Sequence, residues 1–318
     1  MKKTFSFVWF LAATSSIILS SIASGANVTW DGGAGGTGTD IGTAVNWAGD
    51  VLPSVATPDT AVWDNVVTGN LVLTYTGTGF SGAAGNAGGN LSLTANQIGS
   101  VSIDSGTNTS SARFNNVTLA SGAGALTLGD GANTFNITLG GVSGQTHTWT
   151  NDAANSVTVN SDVVFGLGGS GAHTLALGGA GNFVFNNSIS FPTLTVTKAG
   201  AGTATFNGAT VSLANVTATA GTFVFNDTSA TVPTMTLNGG TIDLKKDVGL
   251  TGTAIVNGTG GTISASGGGK LLLNVAAGDF GVANGGTLTV NAVIANGSQS
   301  AIDFLEHSFG HRHCRPDR

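Results

Sequence analysis

Short alternating apolar runs that end on Asn recur along this chain, and no other feature limits the fold as strongly. Such runs close at Asn136, Asn160, Asn186, Asn207, Asn226, Asn238, Asn257, Asn274 and Asn291. From Asn186 to Asn291 six steps cover 105 residues, a mean of 17.5. The two earliest steps are longer, at 24 and 26 residues. A unit of one strand and one turn cannot bury its apolar side alone. It buries that side against neighbouring units, which makes a solenoid. Asn suits the turn because it tolerates left-handed backbone, and stacked Asn side chains can hydrogen-bond along a ladder. Asn-Gly turns also recur in β-meanders and sandwiches. The outward positions favour the solenoid. They are Thr, Ser and Asn rather than the charged residues that commonly face outward in a sandwich.

Composition closes off other classes. Gly accounts for 51 of 318 residues, about 16% against a usual value of roughly 7%. Glu, Lys, Arg and Gln total only 14, while Thr numbers 44, so a helical protein is excluded. Gly has no three-residue period, which excludes collagen. Leu, Ile, Val and Phe sum to 81 and the net charge is only −6, so the chain has a core to bury and little self-repulsion. No basic stripe exists for nucleic acid. The expected fold is all-β, a parallel β-helix or solenoid. At roughly 20 residues per coil, residues 67–300 give about 12 coils, and about 4.8 Å per coil makes a rod of about 55 Å.

Four segments are expected. Residues 1–26 read as a signal peptide, with Lys2 and Lys3 before an apolar run from Phe5 to Leu19 and small residues at Ser24-Gly25-Ala26. That run is short for a membrane helix, and no later stretch supplies a transmembrane helix. Residues 27–66 hold Trp30, Trp47 and Trp63, five Asp and no Lys or Arg, and are expected to cap one open end of the solenoid. Residues 67–300 form the repeat region. Residues 301–318 break the composition, with the only Glu, the only Cys, three of five His and three of four Arg. This tail reads as a frame change or truncation, with a genuine short tail as the alternative. Cys314 alone cannot form an internal disulfide.

The stretch from Leu194 to Thr210, with Lys198-Ala199-Gly200-Ala201-Gly202-Thr203 at its centre, is similar to the repeat of autotransporter-associated β-strand repeat proteins. Ala220-Gly221-Thr222-Phe223-Val224-Phe225-Asn226 resembles the second half of that repeat. The opening Trp30-Asp31-Gly32-Gly33 with Asn46-Trp47 and Asp59 to Trp63 resembles the start of exported members. The resemblance implies a right-handed parallel β-helix delivered to the cell surface, the outer membrane or beyond. It implies no particular activity, because one solenoid scaffold carries many functions. Members commonly end in a membrane barrel or anchor. Neither pattern is present here, so outer-membrane attachment would need a missing C-terminal part.

Candidate chemistry is sparse. His307, His311, His313 and Cys314 are ligand-type side chains for zinc or copper, but a frame change accounts for them equally. Gly35-Gly36-Thr37-Gly38-Thr39-Asp40 matches the start of one calcium-binding nonapeptide and then fails at Gly42. Asp243, Lys245, Lys246 and Asp247 form the mixed charge cluster that a polysaccharide lyase or glycosidase would need, and equally an ordinary solvated turn. Strand alternation puts Asp243, Lys245 and Asp247 on one face and Lys246 on the other. His147 and His173 are spaced to stack, with exposed polar filler the simpler expectation. Asn116-Val117-Thr118 and Asn215-Val216-Thr217 are glycosylation triplets that arise by composition. Trp149 is the only Trp beyond residue 66, a poor basis for a glycan-stacking platform. The expectation is therefore no catalytic residue, no cofactor and no metal. The role expected is structural or adhesive, with surface glycans or copies of itself as partners and no nucleic acid. A polysaccharide-active enzyme or a glycan-binding module is the alternative.

Overall fold

The computed structural model describes residues 25–296, except 57, 78, 81–87, 107–109, 132–134, 142, 166–170, 227–229, 252–255 and 275–285. The signal-peptide segment and the tail, including His307, His311, His313 and Cys314, lie outside the described residues. Among the described residues nearly all the regular secondary structure is strand, with one 3-10 turn at Ala44–Asn46. Every strand-to-strand register is parallel, and strands inside the stack pair with one from the coil before and one from the coil after. The result is a β-solenoid of stacked parallel coils.

Each full turn has three faces. The first runs through Thr60–Trp63, Gly89–Leu93, residues 117–119, Thr146–Asn151, His173–Gly178, residues 194–199 and residues 215–218 to residues 234–237 and 256–257. The second stacks Leu71–Thr74, Val101–Asp104, Leu126–Leu128, Val157–Val159 and Phe183–Phe185, and continues through residues 203–206, 222–225 and 241–244 to Thr287–Val290. The third begins at residues 110–113 and passes through Phe135–Leu139 to Lys270–Leu273 and Val293–Asn296. Among the described residues the third-face strand ladder runs from residue 110 onward.

Alternation explains the core. In His173–Gly178 and in Val157–Val159 every second residue is buried. Inward columns then stack like on like. One column on the second face passes from Val159 through Phe185 and Phe206 to Phe225 and Leu244. Phe185 and Phe206 stack with centroids 5.2 Å apart, and Phe206 and Phe225 with centroids 5.4 Å apart. Burying each such ring contributes about 1.5–3 kcal/mol.

The coils are longer than the sequence suggests. Asn160, Asn186, Asn207 and Asn226 follow the second face on successive turns, at steps of 26, 21 and 19 residues. Asn238 lies in a first-face strand and Asn274 follows a third-face strand. The mean of 17.5 thus mixed different corners of one turn, and 12 coils was too many. Ten strands on the second face span nine steps of about 4.8 Å, or about 43 Å.

One corner explains the Gly200-Ala201-Gly202 element of the sequence. Gly200-Ala201-Gly202 lies over Gly179-Ala180-Gly181. A Cβ on Gly202 would sit 1.9 Å from the Gly181 carbonyl oxygen, and one on Gly200 would sit 2.1 Å from the Gly179 oxygen. Only hydrogen fits between the two backbones.

Residues 27–66 join the same ladder. Asn27–Thr29 pairs with Thr60–Trp63, which pairs with Gly89–Leu93. Trp30 meets Trp47 edge-to-face at 5.0 Å, and Trp47 meets Trp63 at 5.6 Å and Phe80 at 6.3 Å. All three Trp are buried, and Trp47 Nε1 donates to the Ile41 carbonyl at 2.9 Å. Their core is continuous with that of the coils. Among the described residues no helix is long and apolar enough to cross a membrane.

Candidate functional site

The mixed charge cluster lies where the strand Thr234–Leu244 ends and the chain turns toward Val248–Leu250. Asp243 and Lys245 meet on one side, with Lys245 Nζ 3.3 Å from Asp243 Oδ2. Asp243 Oδ1 accepts from Ser264 Oγ and from the Ser266 amide, each at 2.9 Å, and Oδ2 accepts from Ser266 Oγ. Lys245 Nζ also donates to Ser266 Oγ. Asp247 faces the next coil, where its Oδ1 accepts from the Lys270 amide at 2.9 Å. Lys246 is exposed. The strand stops before Lys245, so simple alternation does not extend to Asp247. A surface hollow of about 310 Å³ lies beside this turn, lined by Lys245, Lys246, Asp247 and Gly267 to Gly269.

The electrostatics of Asp243 oppose acid catalysis. Partial burial pushes its carboxyl up. The hydrogen bonds from Ser266, Ser264 and Lys245 outweigh that and hold it down at about 2. A glycosidase acid needs the opposite shift, a carboxyl kept protonated near neutral pH. Asp243 is an ionised carboxylate with its acceptor positions filled, and it joins one coil to the next.

His147 and His173 do stack, with ring centroids 5.6 Å apart and planes inclined by 29°. They are not exposed filler, and that expectation is corrected. His147 is 0% and His173 2% exposed. Both occupy inward positions of alternating strands, His147 in line with Leu175 and His173 in line with Leu194. Alternation with Trp149 and Leu175 carried that signal, since i and i+2 share a face.

Asp40 of the nonapeptide-like stretch serves a turn. Its Oδ1 accepts from the Gly42 amide at 2.9 Å, and its Oδ2 accepts from Thr43 Oγ1 and Thr76 Oγ1, each at 2.8 Å. Among the described residues no three His, Cys, Asp or Glu side chains come together as a metal site. Asn116 links coils, donating to Asn90 Oδ1 at 3.0 Å and accepting from the Thr148 amide at 2.9 Å. Asn215 Nδ2 donates to Thr217 Oγ1 at 3.3 Å.

Lys198 is the residue that composition did not single out. It is 0% exposed, in line with Leu177 below and Ala218 above, and its Nζ donates to the Gly200 carbonyl at 2.8 Å. Burial lowers its pKa. Lys198 therefore closes the corner at Gly200-Ala201-Gly202, with its aliphatic stem in the core.

The outer surface is the most regular feature. Thr203, Thr222, Thr241, Thr262 and Thr289 are in register on five successive turns of the second face. On the first face Thr146, Thr174, Thr195, Asn215 and Thr234 form one row. Beside it run Thr148, Ala176, Thr197, Thr217 and Thr236. No Asp, Glu, Lys or Arg interrupts these three rows.

These features define a parallel β-solenoid with three-sided coils. Comparison with protein-family models, curated proteins and solved structures gave no match to this chain.

Proposed function

We propose that the chain is an exported, cell-surface or secreted β-solenoid with a structural or adhesive role, of the autotransporter-associated β-strand repeat kind. The observation that carries this reading is the set of uncharged Thr and Asn rows on the outer faces. Hydroxyl and amide groups at a fixed repeat can hydrogen-bond to a repeating polyhydroxylated partner, such as a surface glycan, or to another copy of the chain. The state of Asp243 supports a non-catalytic reading of the charge cluster, because its hydrogen-bonding capacity is spent on Ser264, Ser266 and Lys245. Lys2, Lys3 and the apolar run after them support export.

The test pairs retention with turnover. Purified chain is incubated with insoluble neutral and acidic polysaccharides, and bound protein and released sugar are measured together. Retention or self-association without new reducing ends or unsaturated products supports the reading. Product formation that disappears in Asp243→Asn or Lys245→Ala overturns it in favour of an enzyme. Fractionation of cells expressing the full chain tests export, and retention in the cytoplasm contradicts it.

A further inference from the structure

The stacked pair His147 and His173 has a consequence that structural packing alone does not require. Both rings are buried, and none of their four nitrogens makes a well-formed hydrogen bond, the Asn115 backbone beside His147 being the nearest polar group to offer one. His173 also lies against the Phe191 ring, with centroids 5.8 Å apart. A neutral imidazole in such a place forgoes hydrogen bonds. A charged one faces a much larger cost unless a carboxylate stands nearby.

Among the described residues, Asp162 is the one carboxylate on the strands that pack around the pair. Thr146–Asn151 and His173–Gly178 carry no acidic residue. The neighbouring strands Ser110–Leu119 and Ile189–Phe206 contribute only the cations Arg113 and Lys198. Leu126–Leu128, Phe135–Leu139, Val157–Val159 and Phe183–Phe185 carry no ionisable group. Asp162 opens the strand Asp162–Phe165 and spends its Oδ1 on the Ser188 amide at 3.0 Å. Nearby polar groups pair with each other, as Gln145 Nε2 does with Asn115 Oδ1 at 3.0 Å.

We propose that the His147–His173 stack is an acid-sensitive seam, and that protonating it loosens the contact between the coils carrying Thr146–Asn151 and His173–Gly178. Each ring disfavours a proton on the other, and the core disfavours a proton on either. Burial first, and then the charge of His173, push His147 down to about 4, with the Asn115 backbone pulling weakly the other way. Burial lowers His173 as well. An unfolded His titrates near 6.5. Between about 6.5 and about 4 the open form therefore binds more protons than the closed one, and stability falls as pH falls. The device would let an exported protein hold its coils at neutral pH and open one level of the stack in an acid setting.

Hydrogen–deuterium exchange on the full chain, at about pH 7.5 and about pH 5 with correction for intrinsic exchange, reads the seam directly. Protection lost first in Thr146–Asn151, His173–Gly178 and residues 194–199 is the expected result. Protection lost evenly along the solenoid, or first at its ends, overturns the proposal. His147→Phe with His173→Phe replaces the stack with rings that cannot titrate. The drop in melting temperature between the same two pH values should shrink by at least half in that variant, and an unchanged drop overturns the proposal. The tail residues His307, His311 and His313 are present in both proteins, so they cannot produce the difference. If the double variant does not fold, exchange on the native chain still decides.

Discussion

The side-chain amide of Asn207 donates to the side-chain oxygen of Asn186, one coil away, at 2.8 Å. The same bond recurs on both sides, from Asn186 to Asn160 at 2.8 Å and from Asn226 to Asn207 at 3.0 Å. Asn186 and Asn207 each donate once and accept once. Replacing Asn186 by Ala breaks two rungs of this ladder. The ladder is exposed, so each lost bond should cost about 0.5–1.5 kcal/mol. Thermal melts should show Asn186→Ala less stable than Asn226→Ala, which breaks one rung. Equal stability would mean that the ladder contributes nothing.

Phe206 sits between Phe185 and Phe225 and also touches Phe223 at 5.8 Å. Its truncation to Ala leaves a cavity at the centre of the stack. The expected cost is about 3–5 kcal/mol. Phe206→Leu should recover much of this. Chemical denaturation of the three proteins checks the order.

Gly202 tests the close approach of coils. Ala there meets the Gly181 carbonyl at 1.9 Å, so one backbone must move. Overpacking of this kind costs about 1–3 kcal/mol or more. Gly49 is the control. Its φ is +77° and nothing lies within 4 Å of a new Cβ. Gly49→Ala should cost only the left-handed backbone penalty of about 1 kcal/mol. Melts showing Gly202→Ala as the milder change would contradict the corner packing.

Acid stability should fall in two separate windows. Asp243 is held near 2 when folded and titrates from 3.8 when free. Its contribution is complete above 3.8 and is lost as pH falls toward 2. The histidine pair acts higher, between about 6.5 and about 4. Asp243→Asn should lower stability at neutral pH by about 1.5–3 kcal/mol, the scale of hydrogen bonds to a charged group. It should flatten only the lower window. A variant that flattens the upper one instead would reverse the assignment.

The sequence was readable where side-chain chemistry is periodic. Alternation in runs such as Phe183-Val184-Phe185 gives the strands, and Asn after them gives a ladder. Coil length was not readable from Asn alone. A three-sided turn has several corners, and Asn occupies different ones, as Asn207 and Asn274 show. Burial of His147 and Lys198 was legible in principle, since each alternates with inward apolar residues. For His147 the polar residue type suggested exposed filler instead. Lys198 buries its stem and gives its amine the Gly200 carbonyl, which residue type alone does not disclose. The carboxylate acceptors of Asp243 are filled by Ser264 and Ser266 from the following coil, and only the register shows this.

Interchangeable coils are the centre of the account, because a surface built from repeated rows needs no single indispensable turn. Phe206 and Phe225 occupy the same place on successive turns, and Asn207 and Asn226 follow them 19 residues apart. Removing residues 207–225 should therefore join Phe206 to Asn226 with every later strand still in register. Thermal unfolding followed by far-ultraviolet circular dichroism is the direct measurement. A β-type spectrum and one cooperative transition, close to that of the parent, is the expected result. A chain that is unfolded at room temperature, while a shortened surface loop elsewhere is tolerated, would contradict the solenoid of equivalent coils.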